Sequence, residues 1–205
     1  TPKTAYVDFF KVMKLKLFPL GIVAFPSKFV PLHIFEERYK KLINECIDQN
    51  SEFGVVYQDT NGLADVGCTV TVTKLLNKYP DGRMDIITQG KKIFKLKDQV
   101  VIDDISIGDV NILPEIKPLP SEIFDPLKEK YLKLLIILGL KENINRHLAK
   151  NTTFELLEMI ELSPKFELEL ISINSENKRA EILNQFFNSL LNQSSQFNSN
   201  ERFQS

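Results

Sequence analysis

Apart from one helical stretch early on, the hydrophobic period of this chain changes at a run of prolines, and that change constrains its architecture more than any other feature. Before Pro114, Pro118 and Pro120 the apolar residues largely alternate, as on a strand with one buried face. After them they recur every three to four residues, as on a helix with one buried stripe. Strands first and helices afterwards predict an α+β fold with the two kinds of element segregated. The expected division is a β-rich lobe over residues 1–118, a helical bundle lobe over 119–193 and a disordered polar tail over 194–205. The tail is almost wholly Ser, Asn, Gln, Glu and Arg, too polar to offset the entropy of ordering it.

Within the first lobe, Leu15 to Leu20 alternates and meets Pro19, and Pro26 and Pro31 punctuate the next stretch, so strands there are short pieces or edges. Phe35, Tyr39, Leu42, Ile43, Cys46 and Ile47 fall on one helical stripe, predicting a helix from Phe35 to Asp48. Phe53 to Gln58 and Val66 to Lys78 read as strands. In the second, Val66, Cys68, Val70 and Val72 share one parity and Thr69, Thr71 and Thr73 the other. Tyr79-Pro80-Asp81-Gly82-Arg83 carries turn chemistry, with Gly where a positive φ is expected, and a strand resumes at Met84. Gly90 to Lys97 and Val100 to Leu113 continue the β pattern. In the second lobe helices are expected from Phe124 to Leu138, from a Thr152 or Thr153 cap to Leu162, from Pro164 to about Ser172, and from an Asn174 or Ser175 cap to about Leu191.

Charge and cysteine content narrow the function classes. The 205 residues carry 26 Lys and Arg against 27 Asp and Glu, a net charge of -1, which offers no global field for phosphate backbones or anionic lipid. The most apolar run, Leu132 to Leu140, carries Lys133 and is far shorter than the roughly 20 residues a membrane span needs. Thr1 to Lys16 lacks the apolar core and cleavage site of a secretory leader, so a cytoplasmic location is expected. Cys46 and Cys68 read as reduced core cysteines.

Several segments in order carry a family likeness. Leu17-Phe18-Pro19-Leu20-Gly21-Ile22-Val23-Ala24-Phe25-Pro26, followed by Val30-Pro31-Leu32-His33-Ile34-Phe35-Glu36-Glu37-Arg38-Tyr39, resembles the opening signature of the Lon protease N-terminal, substrate-binding domain family. Asp65-Val66-Gly67-Cys68 and Pro80-Asp81-Gly82-Arg83-Met84 to Gln89-Gly90 agree with later family segments in order and spacing. Leu162-Ser163-Pro164 and Asn177 to Leu183 are similar to the helical part of stand-alone Lon-domain proteins. Ser27 stands where the family usually has Gly, and Glu37 where stand-alone members often carry Pro. The resemblance implies a small PUA-like β-barrel with one interposed helix, followed by a helical bundle. It also implies a protein that binds client polypeptides, with a separate protease or chaperone as a further partner.

Catalytic signatures are missing from the sequence. Gly90-Lys91-Lys92 has the Gly-Lys pair of a phosphate-binding loop but neither the earlier Gly nor the following hydroxyl residue. The family's Ser-Lys peptidase lies in another domain, and Ser27, Ser51, Ser106 and Ser121 have no comparable surround. His33, His147, Cys46 and Cys68 show no metal-ligand spacing, and no cofactor is expected. His33 reads as a structural residue ahead of the helix rather than as a ligand or base. Lys91 to Lys97 interleaves basic and apolar residues and reads as an edge strand guarded by lysines, ahead of the alternative of nucleic-acid contact. Asp103-Asp104 reads as two strand neighbours on opposite faces.

The remaining signal is aromatic. Phe18, Phe25, Phe29 and Phe35 cluster in the proline-punctuated opening, where an irregular backbone leaves room for a groove. Aromatic rings beside unpaired backbone suit an extended peptide taken by strand addition. The candidate peptide-binding residues are therefore Phe25, Pro26, Phe29, His33 and Phe35, in a non-catalytic module that recognises exposed apolar segments. The alternatives are a PUA-like RNA-binding protein, or the N-terminal fragment of a full ATP-dependent Lon protease. The polar C-terminal end favours a stand-alone protein over a fragment.

Overall fold

The computed structural model describes residues 12–139 and 144–202, with side chains to residue 193. The reading of Thr1 to Lys16 as free of a leader lies, up to residue 11, outside the described residues, as do the last three residues of the expected tail. The chain forms two compact units, residues 1–114 with 164–171, and residues 115–163 with 172–205.

The first unit is built on a six-stranded mixed sheet with one helix interposed. Its strands are β1 (Val12–Leu20), β2 (Phe29–Ile34), β3 (Phe53–Asp59), β4 (Gly62–Lys78), β5 (Met84–Ile102) and β6 (Ile105–Ile112); helix α1 spans Glu37–Gln49. The order is β2-β5-β4-β3-β1-β6. Because β5 also pairs with β6, the ladder β1-β3-β4-β5-β6 returns on itself and leaves β2 as a flanking strand. Among the described strands only β1 and β3 run parallel, the connection between them carrying β2 and α1.

The alternation of the sequence places the core. Cys68, Val70, Val55 and Phe53 meet Val30, Ile34 and Ile86 inside, and α1 lays Tyr39, Leu42, Ile43 and Cys46 over them. A second cluster gathers Leu15, Leu17, Val56, Phe94 and Val110. The helix predicted from Phe35 to Asp48 is α1, ending at Asn50, whose φ of 49° closes the last turn through its N–H to Ile47 O. Both cysteines are buried, and burial pushes the Cys68 thiol up to about 12.

Two β expectations are corrected. The stretch Lys91 to Lys97 is an edge only in part: Phe94 and Lys95 pair with β4 on one side and β6 on the other, whereas Lys91 and Lys92 have β4 alone as a neighbour among the described strands. Alternation alone cannot tell a paired strand from an edge. Asp103-Asp104 is not strand either. It is the two-residue turn between β5 and β6, with φ of 50° and 62°, the left-handed pair that a type I′ hairpin requires. Val100 to Leu113 is thus the end of one strand, a turn and a second strand.

The second unit is helical, with α2 (Ser121–Ile137), α3 (Ile144–Leu148), α4 (Thr153–Leu157) and α6 (Glu176–Arg202). Helix α5 (Pro164–Ser172) belongs, apart from its last residue, with the first unit, although the sequence assigns it to the helical lobe. Lys28 reaches Glu167 at 2.5 Å within that first unit, a contact 139 residues apart in sequence that no periodicity shows. Thr152 caps α4 through a full capping box with Glu155, but α4 stops at Leu157 and not at Leu162. Helix α6 continues past Leu191 to Arg202, through most of the segment expected as a polar tail. Its first turn is anchored by Glu176, which accepts from Thr153 N, Thr153 Oγ1 and the buried Arg179. Among the described residues no helix is long and apolar enough to cross a membrane.

Candidate functional site

A groove of about 630 Å³ opens on the first unit beside β2. Its walls come from five places in the chain. β1 contributes Phe18, Pro19 and Leu20. β2 contributes Pro31 to Ile34, with Phe35 following, and the start of α1 adds Arg38 and Tyr39. Gln58 and Leu63 come from the β3-β4 hairpin, and Gln99, Val101, Asp104 and Ser106 from the β5-β6 hairpin.

Each wall follows from local chemistry. Phe18 and Tyr39 stack with ring centroids 3.9 Å apart and make an aromatic floor where β1 meets α1. Arg38 covers the Tyr39 ring, its guanidinium carbon 4.6 Å from the centroid, and donates to Glu36 at 2.9 Å and to Asp104 O at 3.2 Å. The Arg38 fork therefore ties the helix entry to the β5-β6 turn across the groove mouth. Ser106 Oγ donates to Gln99 Oε1 at 2.6 Å and ties the hairpin to itself.

On the outer face of β2, His33 Nδ1 donates to Asp85 Oδ1 at 2.6 Å, and Tyr79 Oη and Asn77 Nδ2 donate to Asp85 Oδ2 at 2.7 and 3.1 Å. These donors, His33 first, hold the Asp85 carboxyl down to about 2. The same bond raises the Tyr79 hydroxyl. His33 is therefore fixed in orientation, and its ring lies 6.0 Å from the Phe35 ring at 23°. Phe35, 61% accessible, and Val101, 70% accessible, both line the groove. The site offers apolar surface, aromatic rings and neutralised charge. Among the described residues no cluster of His, Cys, Asp or Glu is arranged to hold a metal.

The five sequence candidates separate. His33 and Phe35 line the groove. Phe25 does not: it is buried in the core with Lys28 Nζ 4.8 Å from its ring, because Gly90 lets the Phe25 backbone approach closely. Pro26 is half-buried in the loop and Phe29 is exposed on β2, both outside the groove lining. Val101, Leu63 and Arg38 went unrecognised in the sequence. The one available signal was the run Val100-Val101-Ile102 ahead of an Asp-Asp turn, three apolar residues in a row that a strand cannot bury on one face.

Solved structures of the same architecture exist. The Lon N-terminal domain protein of Xanthomonas campestris superposes with a TM-score of 0.67 at 24% identity, over 83% of this chain and 96% of that one. The N-terminal domain of the Mycobacterium avium complex Lon protease gives 0.70 at 12% identity, over 86% and 98%. At such identities the likeness is one of fold, and the class it defines is the α+β domain found at the front of Lon proteases. The family described as the ATP-dependent protease La (LON) substrate-binding domain matches residues 14–193, and the chain belongs to that family. The Lon protease of Parabacteroides distasonis is 27% identical over 154 residues, 64% of this chain and 19% of its own. That of Flavobacterium johnsoniae is 25% identical over 195 residues, 82% and 23%. The chain spans about a fifth of the length of these relatives.

Proposed function

We propose that this protein is a non-catalytic polypeptide-binding module that recognises exposed apolar segments of client proteins in the cytoplasm, for proteolysis or quality control by a separate protease or chaperone. The observation that carries the reading is the groove beside β2, in a domain whose family is defined by substrate binding. An exposed Phe35 and Val101 over a stacked Phe18-Tyr39 floor give apolar contact, and the groove's charged side chains are largely engaged with one another. The self-closing ladder of β1, β3, β4, β5 and β6 supports a PUA-like barrel as the scaffold, and the α2-α6 and α4-α6 contacts support a helical bundle in the second unit. His33 and Phe35 are retained as binding residues.

The test is fluorescence anisotropy of a labelled polypeptide kept unfolded by reduction and carboxymethylation of the disulfides that its fold requires, titrated with the protein beside a single-stranded RNA of similar length. Saturable polypeptide binding that survives moderate salt is expected. Binding of RNA alone, falling steeply with salt, would overturn the reading.

A further inference from the structure

The groove's lining repeats along the chain in a way that a strand face cannot produce. Pro31, Leu32, His33 and Ile34 are consecutive on β2, and all four border the same space. Consecutive strand residues point to opposite faces, so only the edge of β2 brings all four to one cavity. Phe18, Pro19 and Leu20 are likewise consecutive on β1. They lie beyond Leu17, where the pairing with β6 stops, and keep β3 on their other side only. Among the described residues, the groove is bordered by two lengths of strand that each lack a neighbour on one side.

The hydrogen-bond register shows which groups the β2 edge presents. Gly90 N donates to Lys28 O at 2.9 Å, which marks that pair as hydrogen-bonded. Bonded and non-bonded pairs alternate in an antiparallel ladder, so Val30, Leu32 and Ile34 bond to β5 opposite Thr88, Ile86 and Met84. Phe29, Pro31 and His33 then turn their backbone groups away from β5. Pro31 fits this register, since its missing N–H falls where the ladder needs none. Among the described residues no hydrogen bond ends on these outward groups. The edge offers two donors, at Phe29 and His33, and three acceptors, at Phe29, Pro31 and His33.

We propose that an extended segment of a client polypeptide adds to β2 as a further strand, with its backbone paired to Phe29, Pro31 and His33. This rests on the polypeptide-binding reading and specifies how that site works. The occupant is a main chain, because the edge presents donors and acceptors at strand spacing and the proline leaves an acceptor excess that an incoming row of N–H groups satisfies. Two alternating sets of client residues result. Residues opposite Phe29, Pro31 and His33 give their N–H groups to the edge and point their side chains to the outer, solvent face. The residues between them point the same way as Val30, Leu32 and Ile34, toward the core side, and must be apolar. Sensitivity to backbone methylation and the requirement for apolar side chains should therefore fall on opposite parities of the client.

The experiment uses the full chain and fluorescein-labelled peptides of about ten residues that alternate Leu and Thr, which fixes the parity. Methylating the Thr backbone nitrogens should weaken binding on the order of tenfold per position, the size of a lost hydrogen bond, while methylating the Leu nitrogens leaves it within about twofold. Replacing Leu by Lys should abolish binding and replacing Thr by Lys should not. Equal loss from both methylated sets, or from neither, while the carboxymethylated polypeptide still binds, overturns strand addition and leaves the polypeptide reading standing. Failure of every peptide and of the unfolded polypeptide overturns both. A concentration-dependent dimer that excludes the peptide in sedimentation would assign the edge to a second copy of this chain and overturn the proposal.

Discussion

Ser27 holds a φ of 72°, in the left-handed region where a Cβ clashes with the neighbouring carbonyl and Gly does not. Its N–H donates to Gly90 O at 3.0 Å, so the strained conformation is required to start β2 against β5. A Gly, which the family pattern that this opening resembles has here, would take that conformation without strain. Ser27→Gly is expected to raise stability by about 0.5–1 kcal/mol, the relief of strain outweighing the added freedom of the unfolded chain, as read from urea unfolding midpoints. Gly90 is the complementary case. A Cβ there would meet Phe25 O at 2.0 Å, so Gly90→Ala must displace backbone and should cost more than about 2 kcal/mol in the same assay. Asp85 sets a pH dependence. Its folded pKa, about 2, lies below the ordinary value of 3.8, so its contribution is present above about pH 4 and is lost as pH falls toward 2. Stability measured from pH 5 to 2 should fall less steeply in Asp85→Asn than in the parent.

At the scale of elements, the legible part is the part that local chemistry decides. The stripe from Phe35 to Ile47 gave α1, the Val66 to Val72 parity gave the inner face of β4, and Gly82 has its positive φ, 81°, in the turn before β5. Ser163-Pro164 opened α5 as expected. The illegible part depends on partners far away in sequence. Nothing in Lys91 to Lys97 states that β5 changes neighbours there and is paired on both sides at Phe94 and Lys95, and nothing in Pro164 to Ile171 states that it packs with the first unit. Of the candidate residues, His33 and Phe35 line the groove, whereas Phe25 is buried, which depends on a close backbone approach at Gly90 that its aromatic character does not reveal. The Asp103-Asp104 turn sits between: its chemistry is local, but two aspartates signal a type I′ turn less strongly than Asn-Gly does. Replacing the pair by Asn-Gly should stabilise the β5-β6 hairpin by about 0.5–1 kcal/mol and slow amide exchange in Val100 to Ile107, since both central residues already hold positive φ.

At the scale of the whole molecule, the groove exists only when segments from Phe18 to Ser106 have been brought together, so binding and cooperative folding of the first unit must be lost together on denaturation. The converse separates them. Phe35 and Val101 are 61% and 70% exposed, so truncating them removes little surface from the core and should leave the unfolding midpoint nearly unchanged. Their apolar area is free to be covered by a client, at about 25 cal/mol per Å² of surface removed from water. Phe35→Ser with Val101→Ser should therefore weaken binding of the unfolded polypeptide on the order of tenfold or more with no change in melting temperature beyond a degree or two. Phe29→Ser, on the outer face beyond the groove lining, should weaken it much less, because its part in strand addition is through a backbone that serine keeps. Equal losses in the two variants would mean that the outer face of β2, and not the groove beside it, carries the apolar contact.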